Sequence, residues 1–326
     1  MKVTVIGAGA WGTALANLLC QNGHAVTLWA HEPALLEQIK ETGRNELFLP
    51  GVAVSRDLRV EPVLEQAVEG SAWAVIAVPS GFFRGVTRRI SSFQGVAVSV
   101  TKGIEYESGL TMSGILAQTM PKATVAVLSG PSLAMEVARD TPAAVVAAHR
   151  DPEIARQVQA LFHRPSFRVY SSQDVLGVEL GGAVKNVVAL AAGVGDGLGF
   201  GDNAKAGLIT RGLVEMRRLG VACGANAETF SGLSGLGDLV VTCYSRLSRN
   251  RAFGERVGRG EKVASILAST RSVAEGCPTA RAAYQLARKL GVGTPIIDEV
   301  HAMLYEGKEV RQAVHDLIAR DMKQED

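Results

Sequence analysis

The sequence predicts a doubly wound α/β domain followed by an all-helical one. Three observations carry that expectation. Short, almost wholly apolar runs recur through the first half, at residues 3–6, 25–29, 74–78, 96–100, 124–128 and 143–147. Segments with helical spacing, such as 11–21 and 154–162, lie between them. Strands apolar on both faces and separated by helices form a parallel sheet covered on both sides. Beyond about Tyr170 such runs stop. Alanine- and leucine-rich helical patterns with glycine punctuation follow, at 184–194, 204–218, 249–257, 280–290 and 295–305. This shift in composition divides the chain into residues 1–178 and 179–326, with a cleft expected between them. The charged tail, 320–326, is expected to fray.

Composition narrows the class. At 326 residues, with 47% apolar and 20% charged side chains, the chain can bury its cores without a disulfide or metal staple. Its net charge of +2, from 34 basic and 32 acidic residues, lacks the basic excess of a nucleic-acid binder. Cys20, Cys223, Cys243 and Cys277 stand far apart with no Cys-x-x-Cys pair. That spacing suits no metal site and no disulfide framework, and it fits a cytoplasmic protein. The apolar stretch 3–20 has the look of a signal peptide, but Gly7, Gly9 and Gly12 interrupt it. No membrane span is expected elsewhere.

Gly7-Ala8-Gly9-Ala10-Trp11-Gly12 follows the first strand pattern directly and opens a helix. The first glycine permits a tight turn, the second lets a pyrophosphate approach the backbone, and the third allows close helix–strand packing. The free N–H groups and the dipole of the helix then favour the anion. This context makes the first domain a Rossmann-type, dinucleotide-binding one. At the end of the second strand, where an NAD-specific site places Asp or Glu, the chain has Ala30 and then His31. A missing carboxylate removes a repulsion against a 2′-phosphate, and His31 is a donor to one. Glu32 argues mildly the other way. NADP is favoured over NAD, with a solvated turn at His31 and Glu32 as the ordinary alternative.

Lys185 is the most informative residue of the second half, because it lies in the otherwise apolar segment 183–192. Desolvation there lowers a lysine pKa towards neutrality, which suits a general acid/base in carbonyl reduction. The competing reading is a lysine that snorkels to solvent. Residues 245–251 read as a loop feeding a helix N-terminus, with a hydroxyl, guanidinium forks and free N–H groups suited to a phosphate ester. A capped basic surface helix reads the same way. Asp238, after a glycine turn, is a helix N-cap, a ligand for a substrate hydroxyl, or a group that orients Lys185. In the first domain, residues 99–103, with Lys102, and 129–132, with Gly130 and Ser132, both end strands at the carboxyl edge of the sheet. Ligands bind at that edge in open α/β folds.

Seven segments in order resemble NAD(P)-dependent glycerol-3-phosphate dehydrogenases of the bacterial type, over nearly the whole chain. They are GAGAWGTALA (7–16), VIAVPS (75–80), TKGIE (101–105), LSGPS (128–132), GAVKNVVALAAGVGDGLGFGDNAKAGLITRG (182–212), GLGDLVVTCYSRLSRNR (235–251) and VAEGCPTAR (273–281). The resemblance implies a second domain of the kind found at the C-terminus of 6-phosphogluconate dehydrogenase. It also implies interconversion of dihydroxyacetone phosphate and sn-glycerol 3-phosphate, supplying phospholipid synthesis.

In that family pattern Lys185 is the proton donor to the ketone oxygen, and Lys102 touches both substrate and cofactor. Gly130 and Ser132 line the site. Asp238, Ser248, Arg249 and Asn250 hold the phosphate ester, the last three around its phosphate end. Gly7, Gly9, Trp11, Gly12, His31, Lys102, Ala134, Arg249, Val273 and Glu275 contact the cofactor. Asn186 and Thr242 join the site by adjacency. Departures from the pattern are Glu32 in place of a second basic residue, Leu133 in place of an aromatic, Gly81 in place of glutamine, and Cys277 in place of a small aliphatic. Two rival readings remain: a reductase of the ketopantoate or β-hydroxyacid kind, and a non-catalytic dinucleotide sensor. The second domain also leaves a homodimer as an open expectation.

Overall fold

The structure is a computed structural model that describes residues 1–269 and 273–320, so residues 321–326 of the charged tail lie outside the described residues. One eight-stranded sheet organises the first half, in the order β3-β2-β1-β4-β5-β6-β7-β8. Its strands are β1 (Lys2–Ile6), β2 (Ala25–Trp29), β3 (Arg59–Val60), β4 (Trp73–Ile76), β5 (Val96–Ser99), β6 (Thr124–Ser129), β7 (Ala143–Ala148) and β8 (Phe167–Ser172). The reversal of order at β1 and β4 creates the crevice at which open α/β sheets bind ligands.

Six of these strands coincide with the apolar runs of the sequence. Two do not, for physical reasons. β3 is a two-residue edge strand with an exposed arginine. β8 alternates buried and exposed side chains, with Phe167 and Val169 inward and Arg168 and Tyr170 outward, as an edge strand with one wet face does. The sheet is parallel as expected except at one pairing. β6 pairs with β7 in antiparallel register, Leu128 opposite Ala147, and β8 then runs parallel to β7. Apolar runs record burial on both faces but carry no information about strand direction.

Separate apolar clusters cover the two faces of the sheet. One is built on Leu15, Leu19, Leu36, Val158 and Phe162, the other on Phe83, Ile115, Leu116 and Met120. A third cluster forms the core of the helical half, around the Val175–Gly197 helix. That helix is long and apolar enough to cross a membrane by length and composition, but 83% of its apolar window is buried against the rest of the protein. It is the core of the second half. Among the described residues beyond it, the secondary structure is entirely helical.

Glycines set how closely the helices of this half approach. The central helix packs against the Arg249–Gly258 helix backbone to backbone, through Gly193 and Gly197 on one side and Gly254 and Gly258 on the other. A methyl group at Gly193 would run into the Arg251 carbonyl, and one at Gly254 into the Leu190 carbonyl. This seam brings the start of the Arg249–Gly258 helix beside the helix that carries Lys185. Gly254→Val is therefore expected to lower stability in urea unfolding by roughly 1–3 kcal/mol, the usual cost of overpacking. An unchanged midpoint would contradict the close approach.

Candidate active site

The dinucleotide cradle forms as the spacing of its glycines requires. β1 ends at Ile6, and Gly7 takes φ +112°, a conformation that glycine adopts without strain. A Cβ there would sit 2.7 Å from the Ala77 carbonyl oxygen. Gly12 packs its Cα onto the Gly7 carbonyl. Above Gly9, by contrast, a Cβ would meet nothing within 4 Å, and the Ala10–Gln21 helix starts there with no side-chain cap. Open space over an uncapped helix N-terminus fits a dinucleotide pyrophosphate. Trp11 and Ala134 pack in one apolar cluster beside this cradle. Ala30 is buried at the end of β2, and His31 and Glu32 after it are exposed.

Across the cleft lies a buried group of charges. Lys185 is 5% exposed, so the snorkelling alternative falls. Its Nζ donates to Asp238 Oδ1 at 2.9 Å and to Thr242 Oγ1 at 2.6 Å. Lys102, from the loop after β5, donates to Asp238 Oδ2 at 2.5 Å and to the Gly130 carbonyl at 3.1 Å. One carboxylate from the helical half thus joins a lysine from each half of the chain. Burial pushes Lys185 down to about 8, with Lys102 adding to the shift and Asp238 opposing it. Burial alone would raise Asp238, but the two lysines outweigh it and hold the carboxyl below its usual range. Asp238 is not the cap of its helix. Gly237 occupies that position, and the Asp238 side chain turns to the lysines.

Ser248 caps the Arg249–Gly258 helix by accepting from the Arg251 N–H at 3.2 Å. Arg249 is exposed, yet protein crowds it enough that burial pushes its guanidinium down, with Glu275 opposing the shift. Among the described residues its side chain has no hydrogen bond or ion pair. Asn250 points inward instead: it donates to Asn186 Oδ1 at 2.8 Å and accepts from the Gly276 N–H at 2.9 Å. Its backbone N–H lies in the first turn of the helix. Ser132 is half-buried and donates to the Gly130 carbonyl at 2.9 Å. Val273 is exposed, and Glu275 is half-buried with both oxygens on Ser80.

Family models agree with this geometry. Residues 2–155 match the N-terminus, and residues 174–315 the C-terminus, of NAD-dependent glycerol-3-phosphate dehydrogenase. The chain belongs to that family. It is 50% identical over 330 residues to a glycerol-3-phosphate dehydrogenase, NAD(P)+, of Geobacter sulfurreducens, covering 99% of this chain and 98% of that one. The crystal structure of the Coxiella burnetii glycerol-3-phosphate dehydrogenase superposes with a TM-score of 0.94 at 38% identity, over 98% and 99% of the two chains. That of the Saccharomyces cerevisiae enzyme gives 0.83 at 27%, over 98% and 99%. NAD or NADP is the cofactor of this dehydrogenase family, and the glycine cradle fits it.

Sequence reading did not find every residue that shapes the dehydrogenase site. Asn45, fully buried, donates to the Ala8 carbonyl and to Thr13 Oγ1, each at 2.8 Å, and so fastens the glycine loop. Glu179 on the central helix accepts from both donors of Ser113. Each contact joins residues far apart in the chain, and no local pattern marks either partner. Among the described residues there is no group of three His, Cys, Asp or Glu side chains able to hold a metal.

Gly9→Val tests the cradle, because a Cβ there meets no protein atom within 4 Å. It is expected to leave thermal stability nearly unchanged while weakening dinucleotide binding roughly tenfold or more in a fluorescence titration. Undiminished binding would place the pyrophosphate elsewhere.

Proposed function

We propose that this chain is an NAD(P)-dependent dehydrogenase that interconverts dihydroxyacetone phosphate and sn-glycerol 3-phosphate. The observation that carries the reading is the Lys185–Asp238–Lys102 group, together with an exposed Arg249 that makes no hydrogen bond or ion pair among the described residues. A lysine with a pKa near 8 is present in both protonation states around neutral pH. It can therefore protonate a developing alkoxide in one direction and accept the proton in the other. When bound, the nicotinamide supplies or accepts the hydride.

The chain's own groups do the rest. Asp238 holds Lys185 and Lys102 towards one point and keeps Lys185 more readily protonated than burial alone would. Lys102, Gly130 and Ser132 line the substrate carbonyl from the first domain. Arg249, the Ser248 cap and the backbone N–H of Asn250 hold the phosphate end, away from the reacting carbon. Binding energy there aligns the ketone for reaction. Asn186 and Thr242 brace Asn250 and Lys185 respectively.

Gly7, Gly9, Trp11, Gly12, His31, Ala134, Val273 and Glu275 complete the cofactor site with Lys102 and Arg249. Ala30 and His31 favour NADP, since no carboxylate stands at the end of β2 to repel a 2′-phosphate. The cofactor domain is taken as residues 1–178 and the substrate domain as 179–326. Supply of glycerol 3-phosphate for phospholipids, a cytoplasmic location and a homodimer complete the reading; the location is supported by four free cysteines. Ketopantoate and β-hydroxyacid substrates would leave Arg249 without a phosphate to bind.

Steady-state kinetics with NADPH and dihydroxyacetone phosphate test this assignment. Lys185→Ala is expected to lower turnover roughly 10²–10⁴-fold with dinucleotide binding retained. Arg249→Ala should raise the KM for dihydroxyacetone phosphate roughly tenfold or more, the loss of a hydrogen-bonded ion pair. In the wild type, ketone reduction needs the protonated lysine, so its rate should fall as pH rises through about 8. Full turnover by Lys185→Ala, or an unchanged KM in Arg249→Ala, would overturn the corresponding role.

A further inference from the structure

Two helices of the first domain begin without a side-chain cap of their own, and each takes a glutamate from the helical half instead. The Ser80–Arg88 helix follows β4, with Pro79 in its cap position. The Ser80 N–H donates to Glu275 Oε1 at 2.9 Å and its hydroxyl to Glu275 Oε2 at 2.5 Å. The Met112–Thr119 helix starts after Thr111, also without a side-chain cap bond. There the Ser113 N–H donates to Glu179 Oε1 at 2.8 Å and its hydroxyl to Glu179 Oε2 at 2.5 Å. In both places a carboxylate takes the N–H and the hydroxyl of one serine and meets the positive end of a helix dipole.

The two clamps differ in where they lie. Glu179 is on the central helix, 6% exposed, and joins the two halves deep in the molecule. Glu275 is half-buried beside the cleft, at the start of the Gly276–Leu290 helix, within electrostatic reach of Arg249. Its partner Ser80 lies three residues beyond Ala77, whose carbonyl packs under Gly7 of the dinucleotide cradle. Gly103, next to Lys102, packs against the same pair: a Cβ there would be 2.6 Å from the Ser80 Cβ and 3.8 Å from Glu275 Oε2. A second crossing reinforces this side, where the Arg281 guanidinium lies 3.9 Å from the ring centre of Tyr106.

We propose that Ser80 is a positioning residue that holds Glu275 across the cleft and thereby sets how fast bound dinucleotide leaves. The Glu179–Ser113 clamp is the fixed join, and the Glu275–Ser80 clamp is the one that must part for the dinucleotide to exchange. This rests on the proposed contact between Glu275 and the cofactor. A hydroxyl that donates to a carboxylate at the cleft mouth gives the closed arrangement a hydrogen bond that the parted one lacks. Removing it speeds opening more than it weakens the fold.

Stopped-flow displacement of bound NADPH by excess NADP+ tests this, with thermal unfolding run on the same variants. Ser80→Ala is expected to speed NADPH release by roughly fivefold or more, as loss of one hydrogen bond to a charged group predicts, with little change in Tm. Ser80→Cys keeps the volume with a poor donor and should behave alike, which covers a folding defect in the alanine variant. Ser113→Ala should lower Tm and leave the release rate unchanged. Release at the wild-type rate from both Ser80 variants, or equal acceleration by Ser113→Ala, overturns the proposal. Glu275→Ala separates it from its premise. Unweakened NADPH affinity in that variant removes the cofactor role of Glu275 itself, whereas weakened affinity with inert Ser80 variants removes only the positioning role.

Discussion

A single carboxylate shared by two lysines is the constraint on which the site depends. Asp238 is 1% exposed and touches Lys185 on one oxygen and Lys102 on the other. Two ammonium groups that close would repel each other, and one buried alone in an apolar helix would lose its proton. With Asp238 between them, both are held at one point and Lys185 is poised near neutrality. A buried ion pair of this kind is weak evidence for stability, because desolvation offsets much of the attraction. Its value lies in geometry and protonation state.

The surrounding architecture serves that arrangement. Lys102 comes from the carboxyl edge of the sheet, Lys185 from the central helix, and Asp238 from a short helix beyond it. They meet because contacts between the two halves bring these three elements together. The glycine seam presses the Arg249–Gly258 helix onto the central helix and so brings the start of that helix close to the one that carries Lys185. The twin glutamate clamps fasten the helical half to two helix starts of the sheet domain. Among the described residues Arg249 is exposed and makes no hydrogen bond or ion pair, with Glu275 within electrostatic reach, whereas the buried group of two lysines and one carboxylate keeps a net positive charge when both lysines are protonated.

Much of this was legible in the sequence, and the exceptions have a common cause. Apolar runs and glycine spacing gave six strands, the dinucleotide turn and the change to helices at about Tyr170. A lysine inside an apolar helix flagged Lys185, and its burial removes the reading in which it snorkels to solvent. Strand direction at β7, the half-wet edge strand β8 and the two-residue β3 left no such signal. Asp238 stood open among three roles until its partners were seen. Asn45, Ser80, Ser113 and Glu179 were silent, because each works through a partner 32 to 195 residues away. Local patterns record burial and turns, whereas long-range hydrogen bonds pair ordinary side chains. The Asn250 side chain, by contrast, joins helices through Asn186 and the Gly276 N–H, which no local pattern announces.

The proposed chemistry depends on the ionisation of Lys185. Heteronuclear NMR of its Nζ, assigned by comparison with Lys185→Met, measures that pKa directly in the ligand-free protein. A midpoint near 8 is expected, and a lower one in Asp238→Asn, where a charge that favours the protonated form is lost. A midpoint in the ordinary lysine range, unmoved by the Asp238 substitution, would contradict it.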